Sequence, residues 1–225
     1  MIDIFSKFPQ YCEAAANLWL HEPLNVITNF SFIIGAFYLY RYIKASSLDR
    51  RLGIILVGFM VILGLGSLSW HSYRSIPTLW LDEIPIYIWV VFAFYFLTQS
   101  LTKSYKLTAI IMVLTATVYY LIFASIPSLN ILQGSLKYVF ALFVFLLLSL
   151  FVARKFGSHY NFILPLSILA VAIVFRSVDL PVCPVFPIGT HFLWHVSVAL
   201  AVYQGSKVIL RLDNERVDNR LKIYQ

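Results

Sequence analysis

Apolar residues run through this chain in long blocks, separated by short groups of charged and turn-forming positions. Read between those breaks, the pattern predicts seven helices, at residues 24–42, 52–70, 84–101, 107–126, 132–152, 160–178 and 188–210. Each approaches the ~20 residues needed to cross a bilayer. Residues 107 to 136 carry no charge and exceed one span. The stretch IPSLNILQG divides them in two, with Pro127, Asn130 and Gly134 as turn formers. The sixth helix is short and holds Pro165.

The basic residues give these helices a direction. Arg41, Lys44, Arg50 and Arg51 lie between the first and second, and Lys103 and Lys106 between the third and fourth. Arg154 and Lys155 separate the fifth and sixth, while Lys207, Arg211, Arg216, Arg220 and Lys222 fall at or beyond the end of the seventh. Thirteen of the 17 Lys and Arg thus fall on one side, which the positive-inside rule makes cytoplasmic. The expectation is an all-α, seven-transmembrane bundle with its N-terminus outside and its C-terminus cytoplasmic. It forms one domain over residues 1–225, with a short interfacial segment at 1–23 and a cytoplasmic tail at 211–225.

Composition agrees with that picture. The chain is 60% hydrophobic and 12% charged, with a mean hydropathy of +0.83, whereas a soluble domain carries about 25% charge. The net charge of +7 is assigned to topology, not to nucleic-acid binding. The first twenty residues hold Lys7, Pro9 and Glu13 and lack a compact apolar stretch, which argues against a cleaved signal peptide. The lipid bilayer is the expected environment: the cytoplasmic membrane in a bacterium, an ER- or Golgi-type membrane in a eukaryote.

Under this topology several polar residues share the outer side. The second helix runs outward to Ser67 and His71, the third begins just after Asp82, and the seventh opens with His191 and His195. His191 and His195 are spaced i, i+4, so both rings leave one helix face; Ser67 and His71 have the same spacing. Two such His plus one from another helix supply three nitrogen ligands, the open set used by catalytic zinc. Singly, each residue has a plainer reading: an interfacial His, an Asp82 cap followed by Pro85, a Ser67 bonded to its own helix. His159 lies on the cytoplasmic side, and His21 lies outside any helix. Glu83 has little beyond a structural reading, and Arg176 and Asp179 are expected to form a structural ion pair.

The motifs GLGSLSWHS, LDEIPI and THFLWH, in that order, resemble those of the alkaline ceramidase family, within a superfamily of seven-helix membrane hydrolases. The segment YCE and the following EPLNVITN resemble the family's N-terminal stretch. The resemblance implies zinc bound by His71, His191 and His195, with Ser67 and Asp82 beside it as catalytic residues. It implies hydrolysis of ceramide, a sphingolipid, to a sphingoid base and a free fatty acid. Zinc would acidify a bound water, Asp82 would act as general base and then acid, and Ser67 would stabilise the oxyanion. The family also carries an N-terminal calcium site. Here Gln10, Tyr11 and Ala15 replace some of its positions, leaving Glu13 and Glu22 as candidate anionic ligands for an ion that prefers six to eight oxygens. Glu22 is assigned to N-terminal ordering or a residual cation site. The resemblance and the topology both suggest a Cys12–Cys183 disulfide on the outer side, the alternative being two buried thiols.

Other readings stay open at this stage. A related zinc hydrolase would act on another lipid amide or ester. A non-enzymatic receptor or sensor would hold a lipid at a structural zinc. Bis-histidine haem would leave Ser67 and Asp82 without a part, and a transporter would need an ionisable relay to the cytoplasmic side.

Overall fold

A computed structural model describes residues 10–13, 21–46, 48–125 and 131–221. Lys7, Pro9, Ala15, the turn formers Pro127 and Asn130, and Lys222 lie outside the described residues, as does the side chain of His159. The described chain is all helical: α1 Pro23–Thr28, α2 Phe30–Lys44, α3 Arg50–Tyr73, α4 Ile76–Thr102, α5 Tyr105–Ser125, α6 Leu136–Phe156, α7 Ile163–Val182 and α8 His191–Leu221. The first two run on almost without a break. Among the described residues, six spans are long and apolar enough to cross a membrane, counting Pro23–Lys44 as one; this is the mark of a multi-pass membrane protein. Helix α8 is less apolar, because His191, His195, Gln204 and Lys207 interrupt it. It is also longer than the pattern predicts, running unbroken from His191 to Leu221.

Helix α4 begins eight residues earlier than predicted, at Ile76 and not Ile84. The start signal is a capping box formed by Ser75 and Thr78, with Pro77 in the first turn, which satisfies backbone donors that open every helix. Asp82 therefore sits inside the helix and does not cap it. Pro165 causes no break in α7, since it occupies the first turn, where no intrahelical N–H is needed. Between α5 and α6 the chain reverses through Leu132, Gln133 and Gly134, all at positive φ.

Helices α2, α3, α4, α7 and α8 form the centre of the bundle. Leu39, Leu56, Met60, Leu97, Ile209 and Leu210 are fully enclosed there. The outer faces carry exposed Ile62, Val113, Phe143, Phe151 and Val174, an arrangement suited to hydrocarbon and not to water. Helix α5 is peripheral: of its described residues only Thr108 is buried, its hydroxyl donating to Gln99 of α4 at 2.8 Å.

One close approach sets the register of α3 against α4. A Cβ on Gly66 would fall on the Leu81 carbonyl, so the two backbones touch at this level and only glycine fits. Gly66→Ala should lower stability by about 1–3 kcal/mol, the usual cost of overpacking. Thermal unfolding in detergent would measure this, and an unchanged midpoint would mean that the two helices do not meet there.

Candidate metal centre and active site

The Gly66 contact places the next residue, Ser67, against the α4 backbone beside Asp82. Ser67 and Asp82 both line a small polar pocket of about 30 Å³ together with His191 and His195. One turn after Ser67, on the same face of α3, His71 points into the bundle with no exposed surface. His191 and His195, one turn apart on α8, are each 2% exposed. The structure brings the three imidazoles together. Ring centroids are 5.3 Å apart for His71 and His191, 4.6 Å for His71 and His195, and 4.7 Å for His191 and His195. Each ring offers one nitrogen to a group whose members all lie within 4.8 Å of one another.

These rings suit a metal for a reason beyond proximity. Among the described residues, His71 Nε2, His191 Nδ1 and His195 Nε2 are buried without a hydrogen-bond partner. A buried polar atom left unpaired costs about 1–3 kcal/mol, and three at one spot are a large penalty unless a ligand satisfies them. Neutral imidazole nitrogens are metal donors, so the cluster could bind a metal ion.

Two of the rings, His71 and His191, are held by neighbours that a motif search does not reveal. Glu22, fully buried just before α1, sets one carboxylate oxygen against His71 Nδ1. When Glu22 is ionised its oxygen accepts, so that Nδ1 carries the proton and Nε2 keeps its lone pair free. The same Glu22 accepts from the Asn25 amide at 3.1 Å and pairs with Arg74 at 3.2 Å. Arg74 can reach back because it ends α3 in the left-handed conformation, φ 49°; its guanidinium lies over Trp70, 4.2 Å from the ring centre. Burial pushes the Glu22 carboxyl up to about 7, opposed by Arg74, Asn25 and His21.

His191 is fixed by the start of its helix. Asp179 Oδ1 accepts the Thr190 and His191 backbone N–H groups at 2.7 and 2.8 Å, and Oδ2 accepts Cys12 N–H at 3.0 Å. A carboxylate at a helix N-terminus caps donors that have no intrahelical partner and favours the dipole there. Asp179 thus serves three backbone amides instead of Arg176, contrary to the ion pair expected from the sequence. Arg176 donates to the Tyr11 hydroxyl at 3.4 Å and lies among the Tyr11, Tyr138 and Trp194 rings. Tyr11 in turn stacks on His191 at 3.9 Å. Gly189, at φ +64°, leaves space that a Cβ would take from Asp179 and Cys12.

Cys12 and Cys183 are joined in the structure, Cα atoms 5.4 Å apart, across 171 residues. The bond pins the N-terminal segment over the ends of α7 and α8. Glu13, next along, accepts the backbone N–H groups of Leu24 and Asn25 and so caps α1. Burial raises its carboxyl, opposed by those two amides. Both Glu13 oxygens thus accept backbone N–H groups, whereas Glu22 Oε1 faces Arg74 as an ion pair and accepts no hydrogen bond among the described residues. Glu83, beside Asp82, pairs with Lys137 of α6 at 2.9 Å. His21 is exposed and stands apart from the three-histidine group.

A family model described as Ceramidase matches residues 10–224. No curated protein matches the chain significantly.

Glu22→Gln keeps the size of the side chain and removes the charge that orients His71. Loss of such an outer partner typically lowers metal affinity 10–100-fold, about 1.4–2.8 kcal/mol. Competition with a chromogenic chelator would measure it, and native affinity in the variant would show that Glu22 does not orient the ring.

Proposed function

The chain belongs to the ceramidase family, and from that membership we propose that it is a zinc-dependent intramembrane amidase hydrolysing ceramide to a sphingoid base and a fatty acid. The observation that carries this reading is the meeting of three buried imidazoles, each with a nitrogen unpartnered among the described residues, beside Ser67 and Asp82 in one pocket. His71, His191 and His195 would hold the zinc; three nitrogen donors and an open fourth position suit a catalytic ion. Zinc bound there would supply Lewis acidity, polarising a carbonyl and acidifying a water.

The chain's own groups divide the remaining work. Asp82 takes a proton from the attacking water as the water oxygen bonds to the amide carbon. It returns that proton to the nitrogen as the C–N bond breaks, so that the products are a carboxylic acid and an amine. The Ser67 hydroxyl, which lines the same pocket as Asp82, donates to the carbonyl oxygen as negative charge develops on it. Glu22 holds the tautomer of His71, and Asp179 holds the first turn of α8. The Cys12–Cys183 disulfide and Glu13 close the N-terminal segment over the site. Glu13 and Glu22 are assigned to this positioning.

The reading includes seven spans, with α8 as the last. The site then lies beneath the outer membrane surface, the N-terminus outside and the C-terminus cytoplasmic, as the Lys and Arg distribution favours. A two-chained lipid reaches this depth sideways, without leaving the bilayer.

His71→Ala, His191→Ala and His195→Ala should each abolish zinc binding and fatty-acid release while the chain still inserts. Asp82→Asn should retain the metal yet lose turnover by about 10²–10⁴-fold, the usual contribution of a general acid–base. Metal analysis paired with a fatty-acid release assay on ceramide measures both. Full activity in any of these variants would remove the assigned role.

A further inference from the structure

Two apolar cavities adjoin the polar pocket, and the same two side chains line all three. Ile86 of α4 and Tyr138 of α6 line the pocket that holds Ser67, Asp82 and the histidines, and they also line both cavities. The inner cavity, about 90 Å³, runs among α4, α6, α7 and α8 past Trp89, Leu166 and Val202. The outer one, about 490 Å³, lies between α4, α5 and α6 and is walled by Val90, Phe94, Met112, Ala116, Phe140 and Val144. Its size falls within the ~300–1,000 Å³ of pockets that enclose organic ligands. Its polar wall is confined to a few groups. Lys137 donates to Glu83 at 2.9 Å and to the Tyr87 hydroxyl at 3.0 Å, one residue along α4 from Asp82.

A lipid amide with two hydrocarbon tails imposes a geometric demand. Both tails leave the reacting group within a few bonds, so each needs an apolar path that starts at the polar pocket. At ~30 Å³ for each water-sized volume, roughly a methylene, the inner cavity takes a short stretch and the outer cavity about sixteen such units. Only the outer cavity has the length class of a whole tail.

Resting on the amidase reading above, we infer that the cavity between α4, α5 and α6 is a subsite for one long hydrocarbon tail of the lipid substrate, entered at the Ile86–Tyr138 junction. The Glu83–Lys137–Tyr87 cluster bridges α4 and α6 beside that junction and holds its two walls together. Chain-length preference is then set by α5, whose Met112 and Ala116 face the cavity.

Photolabelling tests the subsite without requiring turnover. Native protein in nanodiscs is exposed to two ceramides, one with a terminal diazirine on the acyl tail and the other with it on the sphingoid tail. At least one probe should give saturable labelling of α5 near Met112–Ala116, and Ala116→Trp should suppress it. The same variant should lower the ratio of long-chain to short-chain ceramide turnover about tenfold or more, the scale of a methylene misfit in an apolar pocket. Labelling confined to the inner cavity, labelling of α5 that never saturates, or an unchanged chain-length ratio would overturn the subsite. If the native chain releases no fatty acid, the amidase reading fails, while the labelling pattern still decides where a tail binds.

Discussion

Three imidazole nitrogens stand without partners among the described residues in the interior of an apolar bundle, and the rest of the architecture is arranged to keep them there. Free in water, each would cost nothing; enclosed, each lacks a hydrogen bond worth about 1–3 kcal/mol. Neither α3 nor α8 gains by burying such groups alone. A shared cation is the simplest way to satisfy all three together, because neutral imidazole is a metal donor and no side chain among the described residues answers them.

Several devices far apart in sequence act on that one point. Gly66 lets α3 meet the α4 backbone, and Ser67 and Asp82 line one pocket there. Asp179 caps α8, so the first turn carrying His191 cannot fray, and it also takes an amide of the N-terminal segment. Glu22 binds His71 from one side while Arg74 balances its charge. The Cys12–Cys183 bond ties these parts across 171 residues. The centre is thus preorganised by backbone approach, helix capping and a crosslink, and not by the ligand side chains themselves.

The sequence makes some of this legible. Charge-free runs of about twenty residues announce most of the helices, since little else tolerates such hydropathy. Histidines four apart must share a helix face, and glycine and proline mark the turn before α6. Other features have no local signature. The carboxylates of Glu22 and Asp179 act on residues 49 and 11–167 positions away, distances that no periodicity encodes. The start of α4 was hidden because Asp82 and Pro85 form a plausible cap of their own, whereas Ser75 and Thr78 close the real one. The cavities arise from gaps between packed faces, and no single segment carries them.

Zinc K-edge X-ray absorption on purified protein tests the central claim most directly. The account predicts one zinc per chain with three imidazole nitrogens at about 2.0–2.1 Å. A chain that purifies without metal and takes none up, or a spectrum dominated by sulfur or lacking imidazole scattering, would contradict it.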